Sequence, residues 1–192
     1  MYTSIVGDRD TPRDDIKCFG DTGLFKSPVM EAKRYKILPH LFFKTDTTWV
    51  DGNVFYKGGI ESDADIVIFK HPYRKTVWEE FDTLKILFPD ITRELEEQEA
   101  HYRAEGLPDV PLYECNFMIR KNNKQVNKLM EAWWAQICRW QCRDQVSLPY
   151  VLWKYPVKVK ELEGNIRNHK LFKYDKHQSA SPNIYNNNRT VW

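Results

Sequence analysis

Short β-prone runs alternate with helical patterns along this chain of 192 residues, and this alternation limits its fold more than any other feature. Runs rich in β-branched and aromatic residues favour strands, which we expect at residues 2–7, 47–50, 64–69 and 112–120. Helical patterns cover residues 29–41, 76–88, 92–104 and a stretch that Asn122 or Asn123 caps. Strands joined through helices predict an α/β domain whose largely parallel central sheet is flanked by helices.

The remaining segments have weaker patterns. Residues 11–28 contain several prolines and glycines and are predicted to form a loop. Residues 54–56 are expected to pair as a hairpin that Gly58 and Gly59 close. A helical segment from 143 to 153 and a last strand at 157–162 complete one domain over residues 1–180, which leaves a polar tail at 181–192.

Composition excludes several classes of protein. With 29 basic and 27 acidic residues, the chain lacks the basic surplus of a dedicated nucleic-acid binder. It has no apolar run approaching the roughly 20 residues that span a bilayer, and its first residues do not resemble a signal peptide. Four cysteines without a CxxC pair predict reduced thiols. We therefore expect a cytoplasmic protein, in the host cytoplasm if it is viral.

The run at residues 47–50 leads directly into Asp51, Gly52 and Asn53. Side chains two residues apart in an extended run point the same way, so Asp51 and Asn53 could offer two oxygen ligands to a hard cation. The alternative interpretation is an ordinary turn, since Asp-Gly-Asn is common turn chemistry. On this stretch alone the turn is the better interpretation.

Other polar residues also follow predicted strands. The set at or just beyond strand ends is Asp8, Asp51, Asn53, His71 and Arg74. In a mostly parallel sheet these ends lie along one edge, where ligands bind. Acids for a cation and bases for phosphates would suit a nucleotide-diphosphate sugar, which favours the ligand interpretation of Asp51.

The order of several sequence blocks resembles a known family. The blocks are residues 2–7, 32–36, 49–53, 71–74 with 79–80, 102 with 106–108, 114–116 with 120, 133–134 and 143–148. They resemble the glycosyltransferase-like domain of plant mucilage and turgor-regulation proteins, a pattern shared with bacterial sugar transferases and with capsid-glycosylating enzymes of chlorella viruses. The resemblance covers about residues 2–155 and is strongest to the chlorovirus domain, because the chain is short and has no membrane anchor.

This resemblance implies a GT-A fold, a nucleotide-sugar donor such as a UDP-sugar, and Mn²⁺ or Mg²⁺ held by a DxD-like motif. It places Asp51 and Asn53 in that motif, with asparagine where the pattern has a second aspartate. By the same resemblance, the loop with Gly7, Asp8 and Asp10 would hold base and ribose, and Arg34 and Lys36 would face the donor phosphate or sugar. A late histidine, His169 or His177, would complete the metal shell.

The implied reaction is transfer of the sugar to a hydroxyl of a glycan or glycoprotein acceptor, such as a viral capsid glycoprotein. Inversion would need a carboxylate base, with Asp144 the first candidate and Glu114 the second. Retention would leave Asp144 and Gln145 to support the oxocarbenium-like centre, and analogy with other GT-A enzymes slightly favours it. The alternative function is a non-catalytic nucleotide-sugar or carbohydrate-binding module, for which Asn53 is the supporting feature.

Overall fold

A computed structural model describes residues 1–7, 10–140 and 143–175. The strands are β1 (Tyr2–Ser4), β2 (Lys17–Phe19), β3 (Thr47–Val50), β4 (Val54–Tyr56), β5 (Ile66–Lys70), β6 (Tyr113–Arg120), β7 (Val159–Leu162) and β8 (Phe172–Tyr174). The α-helices are α1 (Pro28–Ile37), α2 (Val77–Leu87), α3 (Thr92–Ala104), α4 (Lys124–Arg139) and α5 (Asp144–Lys154). Short 3₁₀ turns lie at Pro39–Leu41, Pro89–Ile91 and Ile166–Asn168.

Six strands form the central sheet in the order β2-β1-β3-β6-β5-β7. Strand β6 runs antiparallel to both β3 and β5, whereas the other neighbouring pairs are parallel. The predicted mostly parallel α/β sheet flanked by helices is therefore confirmed. Because β1, β3 and β5 point the same way, their carboxyl ends lie along one edge of the sheet.

Local signals placed two of the helix starts correctly. The Ser27 hydroxyl accepts the N–H of Met30 at 3.4 Å, and Pro28 is the first residue of α1, as predicted. Asn123, rather than Asn122, caps α4, because its side-chain oxygen accepts the N–H of Val126 at 2.9 Å.

The predicted hairpin at residues 54–56 is wrong. Strand β4 pairs antiparallel with β8 in a separate two-stranded sheet. The Tyr56 ring stacks on Phe172 at a centroid distance of 4.9 Å, and both rings contact Phe117. Burial of this aromatic cluster favours pairing with a distant strand over a local hairpin.

The loop expected at residues 11–28 contains the edge strand β2, which pairs with β1. Three residues are too few for a recognisable alternation, and tertiary packing stabilises the strand instead. The Phe19 ring stacks on Tyr35 with centroids 4.4 Å apart and lies edge-on to Tyr2.

Strand β6 is irregular where it pairs with β5. Its register with β5 shifts between Ile68, which faces Met118, and Phe69, which faces Glu114. The Arg120 guanidinium is buried among α1 and α4, whereas Glu114 pairs with Arg167 beyond the sheet. The irregularity therefore separates residues that a regular strand would have put on one face.

Core packing explains the tryptophan-rich stripe of α4. Trp133 is fully buried, and its indole N–H donates to the Ser147 hydroxyl at 3.0 Å. Trp134 is partly buried and packs edge-on against Phe25. Within the described residues, no helix is long and apolar enough to cross a membrane.

Candidate functional site

The segment after β3 is a turn whose acid faces a cleft. The Val54 N–H donates to the Asp51 carbonyl at 2.9 Å, which closes a four-residue turn. The Asp51 side chain remains 39% exposed, and its Oδ1 accepts the Trp49 indole N–H at 2.8 Å. The turn and the ligand interpretations are therefore compatible, because the turn aims the carboxylate outward.

Gly52 allows the loop after β1 to lie against this turn. A Cβ added at Gly52 would come within 2.6 Å of Ile5 Cδ1 and 3.6 Å of Asp10 Oδ2. The absence of a side chain at this position therefore lets Ile5 lie against the turn that carries Asp51.

Two open clefts meet at Asp10 and Gly52. The first, about 230 Å³, is called the Asp51 cleft and is lined by Ser4, Val6, Asp10, Pro28, Val29, Ala32, Lys33, Lys36, Trp49, Asp51 and Gly52. The second, about 470 Å³, is called the Asn53 cleft and is lined by residues 10–15, Gly52, Asn53, Phe55 and Asp175. Together they form a continuous surface at the carboxyl ends of β1 and β3.

Two lysines of α1 converge on one buried carboxylate at the wall of the Asp51 cleft. The ammonium groups of Lys33 and Lys36 lie 2.6 and 2.7 Å from Asp144 Oδ2. Lys36 also lies 3.4 Å from Asp51 Oδ1. Helix α1 thus connects the turn after β3 with Asp144, the first residue of α5.

Asp144 and Lys36 hold each other in the ionised state. Burial alone would raise the pKa of Asp144, but the ammonium groups of Lys33 and Lys36 outweigh it and hold that pKa well below its usual range. Burial alone would lower the pKa of Lys36, but the carboxylates of Asp144 and Asp51 raise it well above its usual range. The wall of the cleft therefore carries fixed charges at neutral pH.

Lys33 occupies the position that the sequence assigned to Arg34. Positions 29, 32, 33 and 36 of α1 line the Asp51 cleft, whereas the Arg34 guanidinium lies over the Phe42 ring at 5.0 Å. The structure brings Lys36 to the cleft and does not bring Arg34 there. The spacing of Lys33 and Lys36 could have indicated this, since residues three apart share a helix face.

The described part of the chain supplies an incomplete metal shell. In residues 1–7, 10–140 and 143–175, no group of three or more His, Cys, Asp or Glu could hold a metal. Magnesium, however, is usually bound through one or two carboxylates together with waters and substrate phosphates. The exposed carboxylate of Asp51 fits one such ligand position. Buried Asn53 donates from its side-chain amide to the Asp175 carbonyl at 3.0 Å.

Of the two late histidines, only His169 lies in the part of the chain that the structure describes, and its ring is turned towards aromatic neighbours. The His169 ring packs against Phe69 and Phe172, and its Nδ1 accepts the Leu171 N–H at 3.3 Å. His169 lines neither of the two clefts. His177 and Asp8 lie outside the described residues.

Gly7 is exposed, with φ of 86°, at the start of the loop that carries Asp10.

His71 and Arg74 lie in a separate cleft at the carboxyl end of β5. This His71 cleft, about 580 Å³, is lined by residues 70–75, Pro111, Leu112 and residues 163–165. The strand ends lie along one edge, as expected, but they do not form one pocket, because β6 lies between β3 and β5.

The charge expected of His71 is absent at neutral pH. Burial, together with the positive charges of Arg74 and Arg167, lowers the pKa of His71 to about 4. His71 Nδ1 accepts the N–H of Tyr73 at 3.3 Å and of Arg74 at 3.0 Å. The neutral His71 ring organises the loop through these two hydrogen bonds. The assignment of His71 to donor binding stays a prediction.

Asp144 is electrostatically linked to both the Asp51 cleft and the His71 cleft. The Arg74 guanidinium pairs with the carboxylate of Glu80, which is buried beneath it. Burial raises the pKa of Glu80 despite the opposing effect of Arg74, and the negative charge of Asp144 raises it further.

The two other predicted catalytic residues lie at the same sheet edge. Glu114 Oε1 lies 2.5 Å from the Arg167 guanidinium, and its Oε2 is buried without a hydrogen-bond partner among the described residues. The Gln145 side-chain amide donates to the Tyr113 carbonyl at 3.4 Å.

Comparison with known families gives one match. The sequence model described as TOD1/MUCI70, glycosyltransferase-like domain, matches residues 25–178. This range includes Lys33, Lys36, Asp51 and Asp144. Neither the curated proteins nor the solved structures that were compared match the chain. The expected particular similarity to the chlorovirus domain stays a prediction.

Proposed function

Because the chain belongs to the TOD1/MUCI70 family of glycosyltransferase-like domains, we propose that it transfers a sugar from a nucleoside diphosphate, in particular a UDP-sugar, to a glycan hydroxyl. The Asp51 cleft would hold the donor diphosphate. The Asn53 cleft beside it would take the nucleoside, with Asp10 placed to accept hydroxyl groups of the ribose.

The observation that carries this proposal is the convergence of Lys33 and Lys36 beside the exposed carboxylate of Asp51. A diphosphate needs cationic groups, and its leaving oxygen gains negative charge as the glycosidic bond breaks. Preorganised cations at that point stabilise the transition state more than the ground state. Asp144 contributes by holding both ammonium groups in place.

Metal dependence is part of the proposal, with Asp51 as the protein ligand of Mn²⁺ or Mg²⁺. A bound divalent cation would supply Lewis-acid stabilisation of the diphosphate. Lys33 and Lys36 would provide further positive charge to the same group.

We propose retention of anomeric configuration. Both candidate bases are held by cations: Asp144 by two lysines and Glu114 by Arg167. A carboxylate whose pKa is held well below its usual range, as in Asp144, is a weak base for an acceptor hydroxyl. Inversion would require one of these carboxylates to leave its partner.

Calorimetric titration with UDP and UDP-sugars, with and without Mn²⁺, tests the donor site. The proposal predicts binding that Mn²⁺ strengthens, and release of free UDP when a glycan acceptor is added. Absence of heat with both UDP and GDP nucleotides would reject it.

The second candidate is a binding module without turnover. It is favoured by Asn53, whose amide is engaged with the Asp175 carbonyl and which adds no second negative charge to the turn. This candidate predicts the same nucleotide binding but no release of UDP with any acceptor. Measurement of free UDP over time therefore separates the two functions.

A further inference from the structure

The His71 cleft is the largest of the three clefts described above, yet it lies apart from the donor groups. It is about 580 Å³, compared with about 230 Å³ for the Asp51 cleft. No residue lines both clefts. A cleft of this size suits one or two sugar units.

An aromatic ring stands exposed in this cleft and is held from two directions. Tyr73 is 73% exposed. Its backbone N–H donates to His71, and its hydroxyl accepts the Asn165 side-chain N–H at 2.9 Å. A large exposed aromatic ring is an informative feature of a protein surface, because it can mark a binding site. The Tyr73 ring is already held in position, so it would lose little conformational entropy when a ligand binds to its face.

The charges around the ring are largely compensated. Lys70 lies 2.9 Å from Glu161 and 3.0 Å from Glu163, and Arg74 pairs with buried Glu80. The His71 ring is neutral at pH 7, since its pKa is lowered to about 4. Paired charges and a neutral ring offer hydrogen-bond donors and acceptors without a strong field, which suits hydroxyl groups better than phosphate.

Charge interactions connect the lining of the His71 cleft with Asp144. Arg74 of its lining reaches Glu80, whose pKa responds to the charge of Asp144. Asp144 in turn holds the lysines of the Asp51 cleft. A ligand in the His71 cleft and a donor in the Asp51 cleft would thus occupy the two sides of one charge network.

We propose that the His71 cleft binds the terminal sugar units of the acceptor glycan, with the exposed face of Tyr73 as the stacking surface and Asn165 and Glu163 as hydroxyl partners. The acceptor role rests on the proposed transferase function. The recognised ligand is a neutral carbohydrate, not a phosphorylated group.

The first test uses NMR of protein labelled with ¹³C in its tyrosine rings. The chain has ten tyrosines, and the Tyr73 signal is identified by its loss in Tyr73→Phe. The probes are methyl hexosides, methyl pentosides, their β1,4-linked disaccharides and inorganic phosphate. We expect a saturable shift of the Tyr73 signal with at least one glycoside and none with phosphate. No shift with any glycoside, or a shift with phosphate alone, would overturn the proposal.

The second test compares three variants by glycan affinity and by KM for the acceptor. Tyr73→Ala should weaken both by about tenfold, as for other exposed aromatic anchors, whereas Tyr73→Phe keeps the stacking face and should change them much less. Tyr155→Ala is the matched control, because Tyr155 is also exposed and lies at the end of α5. Equal effects of Tyr73→Ala and Tyr155→Ala would overturn the proposal.

Titration of UDP into the same variants separates this inference from the proposed function. UDP binding that Tyr73→Ala leaves unchanged, with weakened glycan binding, supports both. If UDP binds but no glycoside shifts the Tyr73 signal, the acceptor site is overturned and the proposed transferase function is not. Absence of UDP binding rejects the transferase function, and with it the acceptor role of the cleft.

Discussion

The ammonium group of Lys36 lies 2.7 Å from a carboxylate oxygen of Asp144 and joins the cleft face of α1 to the first residue of α5. Both side chains are buried. A buried ion pair adds little net stability compared with apolar residues, but removal of one partner leaves an uncompensated charge. The relationship therefore makes the site sensitive to loss of either group.

Replacement Asp144→Asn is expected to lower the free energy of unfolding by about 3–5 kcal/mol, because Lys33 and Lys36 lose their shared carboxylate inside the protein. Urea denaturation at pH 7 measures the change. The control is Asp63→Asn, which removes an exposed pair with Lys158 and should alter stability little. Similar stability of the two variants would contradict the structural role of Asp144.

Turnover of Asp144→Asn should fall more than its donor affinity, and an unchanged rate would remove Asp144 from the proposed mechanism.

Replacement Lys33→Gln should weaken UDP binding by about tenfold, because a charge-assisted hydrogen bond contributes roughly 1.5–3 kcal/mol. Arg34→Gln is the matched control on the same helix, since Arg34 lies over Phe42 and outside the cleft. Calorimetry measures both. Equal losses of UDP affinity in the two variants would show that UDP binding depends on the total positive charge of α1 and not on the position of Lys33.

Replacement Asp51→Ala should abolish the metal-dependent part of donor binding and leave the fold intact, because the Asp51 side chain is 39% exposed and Lys36 keeps its ion pair with Asp144. Titration with UDP, with and without Mn²⁺, measures the first effect, and thermal unfolding the second. Turnover like that of the wild type would contradict the assignment of Asp51.

Replacement Gly52→Ala should displace the Ile5 side chain, since the new methyl group would come within 2.6 Å of Ile5 Cδ1. Overpacking of this kind costs about 1–3 kcal/mol, and the displaced loop should also weaken donor binding. The double variant Ile5→Ala with Gly52→Ala should recover part of both losses. Gly20→Ala is the control, because an added Cβ there meets no atom within 4 Å.

The pH dependence of stability should include a contribution from His71. Its pKa is about 4 in the folded protein and about 6.5 when unperturbed. Above pH 6.5 both states are neutral and the group contributes nothing. Below that pH the unfolded state binds the proton first, so stability falls progressively as the pH drops from 6.5 towards 4.

His71→Asn should remove this part of the acid sensitivity, since asparagine does not titrate and its oxygen can accept the same backbone N–H groups. Urea denaturation between pH 7 and pH 4.5 compares the variant with the wild type. Parallel pH profiles for the two proteins would mean that His71 is not held neutral by the fold.

Sequence alone determined the features that depend on neighbouring residues. The Ser27–Pro28 start of α1, the turn at Asp51 and the β-prone runs of the sheet follow from short-range sterics and hydrogen bonding. The family match likewise needs only the order of residues.

Tertiary structure alone decided how distant segments combine. The pairing of β4 with β8, the convergence of Lys33 and Lys36 on Asp144 and the neutral state of His71 all depend on contacts between distant parts of the chain. Their free energies come from burial and from the partners that the fold brings together. The sequence shows which residue types are present. The protonation states of these residues, their partners and the cleft that each one lines depend on the packed structure.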